Sequence, residues 1–273
     1  MGTIKYDFRN EVVVITGAAT GIGRGTALAF AKAGASVAVC DFNREKGEET
    51  VKLCAELGAK AAFYQMDVTN EDQIREAKDR ILNDFGTVDV LFSNAGIAQN
   101  TVAGPTTLSL VEWEKVFAVN VLGTVRVCSA FAPVFKEKKR GKIVITSSIA
   151  AYQPSRVLPA YSASKIASAN YAQSLSLELG EYNVNVNVVN PGYVYTPIYS
   201  EGGAMKLREA AKDKLGRFET GEQVIGAIAY ASSSLHRMQT VEDIANLVMF
   251  LSSDAAKEIT GQIINIDSGV ILR

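Results

Sequence analysis

The chain has 273 residues, of which 48% are hydrophobic and 21% are charged, a balance typical of one large globular domain. Its net charge is −1 with no basic block, which argues against binding to nucleic acid or to an anionic membrane. No stretch is expected to span a membrane, and residues 1–10 lack the apolar core of a signal peptide. One histidine and three scattered cysteines argue against a zinc site and favour a cytoplasmic location.

The first elements predict a strand, a glycine-rich turn and a helix. Val12–Ile15 is a β-branched run typical of a buried strand, and Arg24–Lys32 is an alanine-rich helix closed by Gly34. Glycines between them let the backbone approach a pyrophosphate, and the helix N-terminus offers free N–H groups. The turn therefore predicts a dinucleotide site at Gly17, Thr20, Gly21, Ile22 and Gly23.

An acidic residue follows the second predicted strand. Ser36–Cys40 ends at Asp41, some twenty residues beyond the glycines, where a carboxylate suits the ribose hydroxyls of a dinucleotide. The same carboxylate would repel a 2′-phosphate, and its uncharged neighbours in the site, Thr20 and Phe42, offer no cation to bind one. Arg44 is the nearby basic residue and weakens this argument slightly. The cofactor is predicted to be NAD(H) rather than NADP(H).

Strands and helices continue to alternate after Asp41. The expected helices are Arg44–Leu57, a helix that Asn70 caps and that runs to Phe85, and then Leu110–Phe135, Ala160–Glu181 and Thr240–Ser252. Pro133 is expected to kink the helix Leu110–Phe135 or to end it late. The expected strands are Ala61–Met66, Val88–Ser93, Lys142–Thr146, Val184–Val189 and Gly261–Ile266. Such alternation predicts an α/β Rossmann fold: one domain over residues 1–273, with a doubly wound parallel sheet of about seven strands and helices on both faces.

Small and polar residues follow the carboxyl ends of successive strands, where ligands bind in sheets of this kind. They are Gly17, Asp41, Asp67, Asn94, Ala95, Gly96, Ser147, Ser148, Asn190, Pro191 and Gly192. Unrelated turn residues would not be expected to line one crevice so consistently, so the pattern predicts a ligand site there.

Tyr161 and Lys165 stand four residues apart on a predicted helix and therefore share one face. A cation beside a phenol favours the phenolate and lowers its pKa from about 10 toward neutrality, which makes Tyr161 a candidate proton acceptor. The pair alone would more often be an exposed tyrosine beside a surface lysine. The nucleotide-binding signature favours the catalytic interpretation.

Together these motifs resemble the short-chain dehydrogenase/reductase family over residues 8–269. The matching motifs are Thr16-Gly17-x-x-x-Gly21-Ile22-Gly23, Asp67-Val68, Asn94-Ala95-Gly96, Asn120, Ser148, Tyr161-x-x-x-Lys165 and Asn190-Pro191-Gly192 through Thr196. Each motif alone is common, whereas the set is specific. One departure is Asp267-Ser268-Gly269, where family members often have two glycines.

The resemblance implies an NAD(H)-dependent enzyme that interconverts a secondary alcohol and a ketone. Ser148 would hold the substrate oxygen, Tyr161 would exchange its proton, and Lys165 would bind the nicotinamide ribose. Ser147 is the rival for the serine role, and the thirteen-residue spacing to Tyr161 favours Ser148. Asn120 would order a water in a proton relay, or it could simply satisfy a backbone group.

The resemblance also implies which other residues surround the cofactor. Asp67 and Val68 would flank the adenine, with a plain strand-end turn as the alternative. The loop after the fourth strand and the wall beside the nicotinamide would contribute Asn94, Ala95, Gly96, Pro191, Gly192, Val194 and Thr196.

Residues 197–239 depart from the repeating pattern and are interpreted as a lid over the substrate. Their apolar content favours a bulky, hydroxysteroid-like alcohol, unless those residues only pack the core of the lid. A sugar alcohol is the alternative, bound by Gln99, Asn100, Tyr152 and Gln153. The family resemblance suggests a homotetramer, with dimer and monomer left open. Rival functions are a nucleotide-sugar epimerase or dehydratase and a non-catalytic NADH sensor.

Overall fold

Seven strands form one parallel sheet in the computed structural model, which describes residues 4–199 and 201–272. They are β1 (Val12–Thr16), β2 (Ser36–Asp41), β3 (Ala61–Gln65), β4 (Val90–Ser93), β5 (Gly141–Thr146), β6 (Val184–Pro191) and β7 (Ile263–Ile266). Their order across the sheet is β3-β2-β1-β4-β5-β6-β7, and all six pairings are parallel. The chain reverses its direction of travel between β1 and β4, which is where a doubly wound sheet opens its ligand crevice.

Helices cover both faces of this sheet. They are α1 (Gly21–Lys32), α2 (Arg44–Glu56), α3 (Glu71–Phe85), α4 (Leu110–Phe117), α5 (Thr124–Lys138), α6 (Pro159–Gly180), α7 (Glu201–Ala210), α8 (Lys212–Leu215), α9 (Gly221–Ser232) and α10 (Val241–Ser252). One buried cluster joins the sheet to α3, α5 and α6, and a second joins its other face to α1, α2 and α10. The predicted doubly wound α/β fold is confirmed.

Two element boundaries near the crevice differ from the sequence predictions. The first helix begins at Gly21 rather than Arg24, so the second and third glycines lie in its first turn. Strand β6 extends through Asn190 to Pro191 because these residues pair with Asn265 and Ile266 of β7. Asn190 and Pro191, which were predicted to follow the strand, are therefore its last two residues.

The helical run 110–138 corrects two expectations. Pro133 does not end α5, which continues to Lys138. The irregular part is instead a π-helical segment, Ala118–Gly123, between α4 and α5. The run is also long and apolar enough to pass for a membrane span, contrary to the expectation of none. Its most buried side chains, including Phe131 and Phe135, pack against the sheet, and this packing offsets the hydrogen bond lost at the proline.

The predicted lid, residues 197–239, contains helices α7, α8 and α9. Helix α7 packs against α9, and Thr220 caps α9 reciprocally with Gln223. Ser200, which the lid prediction includes, lies outside the described residues, as do Met1–Thr3 and Arg273 of the predicted domain. This region follows β6 directly, so it is positioned beside the carboxyl edge of the sheet.

Candidate active site

The glycine turn after β1 lies against the loop after β4. Gly17 and Gly21 have φ of +65° and +55°, a region that side chains disfavour. A Cβ atom on Gly17 would lie 2.8 Å from the Cα of Ala95, and one on Gly23 would collide with the carbonyl of Gly17. Since α1 also has no acidic residue in its first turn, the turn is a shaped cradle for a negatively charged group.

Asn94 joins three neighbouring strands at the floor of the crevice. Its side-chain amide donates to the carbonyls of Thr16 and Gly17 at 3.1 and 3.3 Å. Its Oδ1 accepts from the hydroxyl of Thr146 at 3.2 Å. The hydroxyl of Thr16 in turn accepts from the main-chain N–H groups of Asn94 and Ala95. These bonds hold β1, β4 and β5 together where their carboxyl ends meet.

Asp41 braces the glycine turn from the end of β2. Its carboxylate is buried and accepts from the main-chain N–H groups of Ala19 and Asn43, each at 2.9 Å. Phe42 beside it is exposed. The guanidinium of Arg44 pairs with Glu48 and lies over the ring of Phe63. The guanidinium of Arg44 is therefore already occupied by Glu48 and Phe63.

Asp67 and Val68 lie where the chain leaves β3. Oδ1 of Asp67 accepts from the main-chain N–H and the hydroxyl of Thr69 at 2.8 and 2.7 Å, which forms a tight turn. Val68 is buried against Gly123, where a Cβ atom would lie 2.7 Å from its Cγ2. The sequence motif thus occupies the crevice edge and packs against the end of the π-helical segment.

The two adjacent serines after β5 have different partners. The Ser147 hydroxyl donates to the main-chain carbonyl of Lys165 at 2.7 Å and is buried. The Ser148 hydroxyl lowers the pKa of the Tyr161 phenol, and it accepts from the N–H of Ala150 at 3.1 Å. Ser147 therefore ties helix α6 to the sheet, and Ser148 faces the phenol.

Lys165 does not lower the pKa of Tyr161 in the protein as described, which corrects the expectation from sequence. Burial raises the pKa of Tyr161, and the hydrogen bond with Ser148 opposes that rise. Burial also lowers the pKa of Lys165 to about 8. Burial disfavours the charged form of each group, and the ammonium of Lys165 donates to the carbonyl of Thr146 at 2.9 Å.

The amide of Asn120 is occupied by neighbours in the protein. Its Oδ1 accepts from the N–H of Ile97 at 2.8 Å, and its Nδ2 donates to the carbonyl of Ile97 and the hydroxyl of Ser164, each at 2.9 Å. Its main-chain carbonyl accepts from Thr124 and Ser168. The side chain thus ties the π-helical segment to α6 and to the loop after β4. This arrangement matches the second interpretation from sequence, in which Asn120 satisfies backbone groups.

The segment after β6 lies between the glycine turn and the chain near the C-terminus. The N–H of Gly192 donates to the carbonyl of Ile266 at 3.1 Å, and Val194 pairs with Gln239 in a short parallel bridge. A Cβ atom on Gly21 would lie 3.3 Å from the Cβ of Thr196. Pro191, Gly192, Val194 and Thr196 therefore form one wall opposite the start of α1.

Gln239 and Ser268 support this wall, and neither was predicted to do so. The side chain of Gln239 fills the space that a Cβ atom on Gly192 would need. Its Nε2 donates to the hydroxyl of Ser268 at 2.6 Å. Ser268 has a φ of +57°, unusual for a residue with a side chain. The sequence signal that could have indicated this support is Asp267-Ser268-Gly269, where family members often have two glycines.

Tyr161 also borders an apolar recess under α7, which we call the substrate recess. Its lining residues are Ala98, Gln99, Asn100, Val102, Leu158, Tyr161, Ile198, Gly203, Lys206 and Leu207. Gln99 is committed to the structure, since Oε1 accepts from the N–H of Ala160 and Nε2 donates to the carbonyl of Thr101. Both polar atoms of the Gln99 side chain are therefore occupied within the protein, contrary to the expectation that Gln99 could bind a sugar alcohol.

Comparisons with known proteins agree with this geometry. The family model described as short chain dehydrogenase matches residues 11–206. Cyclohexanol dehydrogenase of Rhodococcus sp. (strain TK6) is 35% identical over 291 residues, with 98% of each chain covered. The 3-oxoacyl-(acyl-carrier-protein) reductase FabG of Thermotoga maritima is 33% identical over 264 residues, covering 96% of this chain and 98% of that protein.

A solved structure extends the comparison. The crystal structure of NAD+-bound xylitol dehydrogenase matches with a TM-score of 0.85 and 30% identity, covering 96% of this chain and 99% of that one. Together with the sequence matches, it confirms the family resemblance recognised from the motifs.

Proposed function

Because the chain belongs to the short-chain dehydrogenase family, we propose that it is an NAD(H)-dependent oxidoreductase that interconverts a secondary alcohol and a ketone. One observation carries the proposal: Tyr161 lines an apolar recess, the Ser148 hydroxyl lowers the pKa of its phenol, and Lys165 lies on the next helical turn. A phenol, a hydroxyl donor and an amine are the groups needed to hold a carbinol oxygen and move its proton.

The residues present fit a dinucleotide. The cradle formed by Gly17, Gly21 and Gly23 excludes side chains, and the first turn of α1 presents main-chain N–H groups to a pyrophosphate. Bound nicotinamide supplies the hydride chemistry. The proposed binding residues are Gly17, Thr20, Gly21, Ile22, Gly23, Asp41, Phe42, Asp67, Val68, Asn94, Ala95, Gly96, Tyr161, Lys165, Pro191, Gly192, Val194 and Thr196.

The protein supplies positioning and proton transfer. Ser148 donates to the substrate oxygen. The phenolate form of Tyr161 accepts the carbinol proton in oxidation, and the phenol returns it in reduction. Lys165 has three ammonium protons, so it can bind ribose hydroxyls while it remains bonded to Thr146. Asn120 keeps the loop after β4 and α6 in register around this set.

The preference for NAD(H) rests on Asp41. Its buried carboxylate closes the end of β2 with negative charge, and Arg44 is already paired with Glu48. A carboxylate in that position repels a 2′-phosphate at close range. Comparing kcat/KM for NAD and NADP tests this point, and a preference for NADP would refute it.

A bulky apolar alcohol, hydroxysteroid-like or alicyclic, is the proposed substrate class, and residues 197–239 are the proposed lid of a single domain. Val102, Leu158, Ile198 and Leu207 give the substrate recess an apolar wall. A sugar alcohol is the second candidate, favoured by the similarity to a xylitol dehydrogenase. A panel of hydroxysteroids, alicyclic alcohols and polyols, followed by NADH absorbance, tests the proposal. Activity confined to polyols would refute the apolar class.

Two further functions are separable by experiment. An epimerase or dehydratase would convert substrate without net NADH, and a sensor would bind NADH without turnover on the panel. We further propose a homotetramer in the cytoplasm. The exposed Leu110, Leu122, Ile166 and Leu177 on the α4–α5 run and α6 support self-association, and the three buried free cysteines suit a reducing compartment.

A further inference from the structure

The substrate recess carries a positive charge on its lid side. Among the described residues that line it, Lys206 is the one with a charged side chain, and most of its companions are apolar. Tyr161 belongs to the same lining. A molecule that fills the recess therefore contacts the proposed proton-transfer group and a lysine at once.

Lys206 has a defined position and, among the side chains that the structure describes, no acidic partner. Its Nζ donates to the main-chain carbonyl of Asn100 at 2.8 Å. No carboxylate oxygen of residues 4–199 or 201–272 with a described side chain forms an ion pair with it. Lys212, the first residue of α8 in the same lid, instead pairs with Glu209 at 3.5 Å. The contrast leaves Lys206 with ammonium protons available to a ligand.

The carbonyl that holds Lys206 is itself fixed. The N–H of Asn100 donates to Oε2 of Glu112 on α4 at 2.9 Å. Glu112 therefore holds the loop after β4, and the carbonyl of Asn100 in this loop holds the lysine in the lining of the recess. A cation oriented in this way has already lost part of its side-chain freedom, which lowers the entropic cost of binding an anion.

We propose that the substrate bears a carboxylate remote from its reacting carbinol or ketone, and that Lys206 binds this carboxylate. The inference rests on the proposed function, because the carbinol must lie at Tyr161 for the carboxylate to lie at the lid. An apolar body fits the wall of the recess, and a carboxylate accepts a charge-assisted hydrogen bond from the ammonium.

The kinetic test uses a ladder of methyl-ketone carboxylates with progressively more methylenes between the two groups, each compared with its methyl ester. We expect wild-type kcat/KM to favour the acid over the ester by about tenfold or more at the chain length that spans the recess. Lys206→Met, which keeps the apolar stem, should remove that preference. Lys212→Met is the matched control and should retain it.

A binding test separates this inference from the proposed function. Cyclohexanecarboxylate and cyclohexanecarboxamide are titrated calorimetrically into wild type and Lys206→Met in the presence of NADH. If wild type prefers the carboxylate and Lys206→Met does not, the result supports the anion site even when no ketone is reduced. Carboxylate preference without any reduction of ketones would refute only the redox proposal. Equal affinity for the two probes in wild type, or a preference that survives Lys206→Met, would overturn the anion site while leaving any measured turnover unaffected.

Discussion

The ammonium group of Lys165 donates to the main-chain carbonyl of Thr146 over 2.9 Å, and it lies 5.6 Å from the ring centroid of Tyr161. Thr146 is the last residue of β5, so the bond fastens the catalytic face of α6 to the carboxyl edge of the sheet. Ser147 strengthens the same attachment by donating to the carbonyl of Lys165. Lys165 is thus oriented by the sheet before any ligand arrives.

Replacing the phenol should separate chemistry from binding. Tyr161→Phe removes the hydroxyl whose pKa Ser148 lowers and keeps the ring. We expect kcat to fall by about 10²-fold or more, since a positioned proton-transfer group contributes about 10²–10⁴-fold. Affinity for NADH, measured by fluorescence titration, should change little. Tyr182→Phe, beyond the far end of α6, is the control, and retention of more than about a tenth of wild-type kcat in Tyr161→Phe would contradict the role.

The buried amine should make stability depend on pH in the cofactor-free protein. The pKa of Lys165 is lowered from 10.5 to about 8, so below about pH 8 both the folded and unfolded states hold its proton and the burial penalty is complete. Above that pH the folded state releases the proton first. The free energy of unfolding should therefore rise relative to Lys165→Met, by about 2 kcal/mol between about pH 7 and 9.5.

Urea denaturation of both proteins at the two pH values measures this difference. Titration of Tyr161 does not contribute to this difference, because its pKa is raised from 10.0 and so lies above the pH range of the measurement. A gap between wild type and Lys165→Met that stays constant, or that moves in the opposite direction, would show that the folded protein holds the lysine charged throughout.

The Gln239–Ser268 hydrogen bond should stabilise the wall after β6. Ser268→Ala removes the acceptor and keeps a Cβ at a φ of +57°, whereas Ser268→Gly removes both the acceptor and the strain. We expect Ser268→Ala to lower the free energy of unfolding by about 1 kcal/mol and Ser268→Gly to lower it less. Chemical denaturation measures both, and equal losses would mean that the backbone conformation carries no cost.

The charge of Asp41 should set the choice of cofactor. Asp41→Asn keeps a carbonyl oxygen that can accept from Ala19 or Asn43 and removes the negative charge. We expect the ratio of kcat/KM for NAD to that for NADP to fall by about tenfold, because the repulsion of a 2′-phosphate is relieved. An unchanged ratio would place the discrimination elsewhere in the site.

Periodic patterns predicted the elements well because they depend on neighbours in the chain. β-branched runs marked the strands, and Asn70 caps α3 through its side chain as its position before the helix indicated. Packing between distant elements overrode the local signal elsewhere. Pro133 is tolerated within α5 because Phe131 and Phe135 are buried against the sheet.

The amino-acid sequence by itself determined the parallel sheet, the crevice at its carboxyl edge and the chemical groups that line it, since strand period, turn residues and helical spacing are local properties. Tertiary structure decided which serine faces Tyr161, what holds Lys165, and that Gln239 supports Gly192 through Ser268. Those contacts join residues on separate elements. Their hydrogen-bond partners and their burial exist only once the elements have packed.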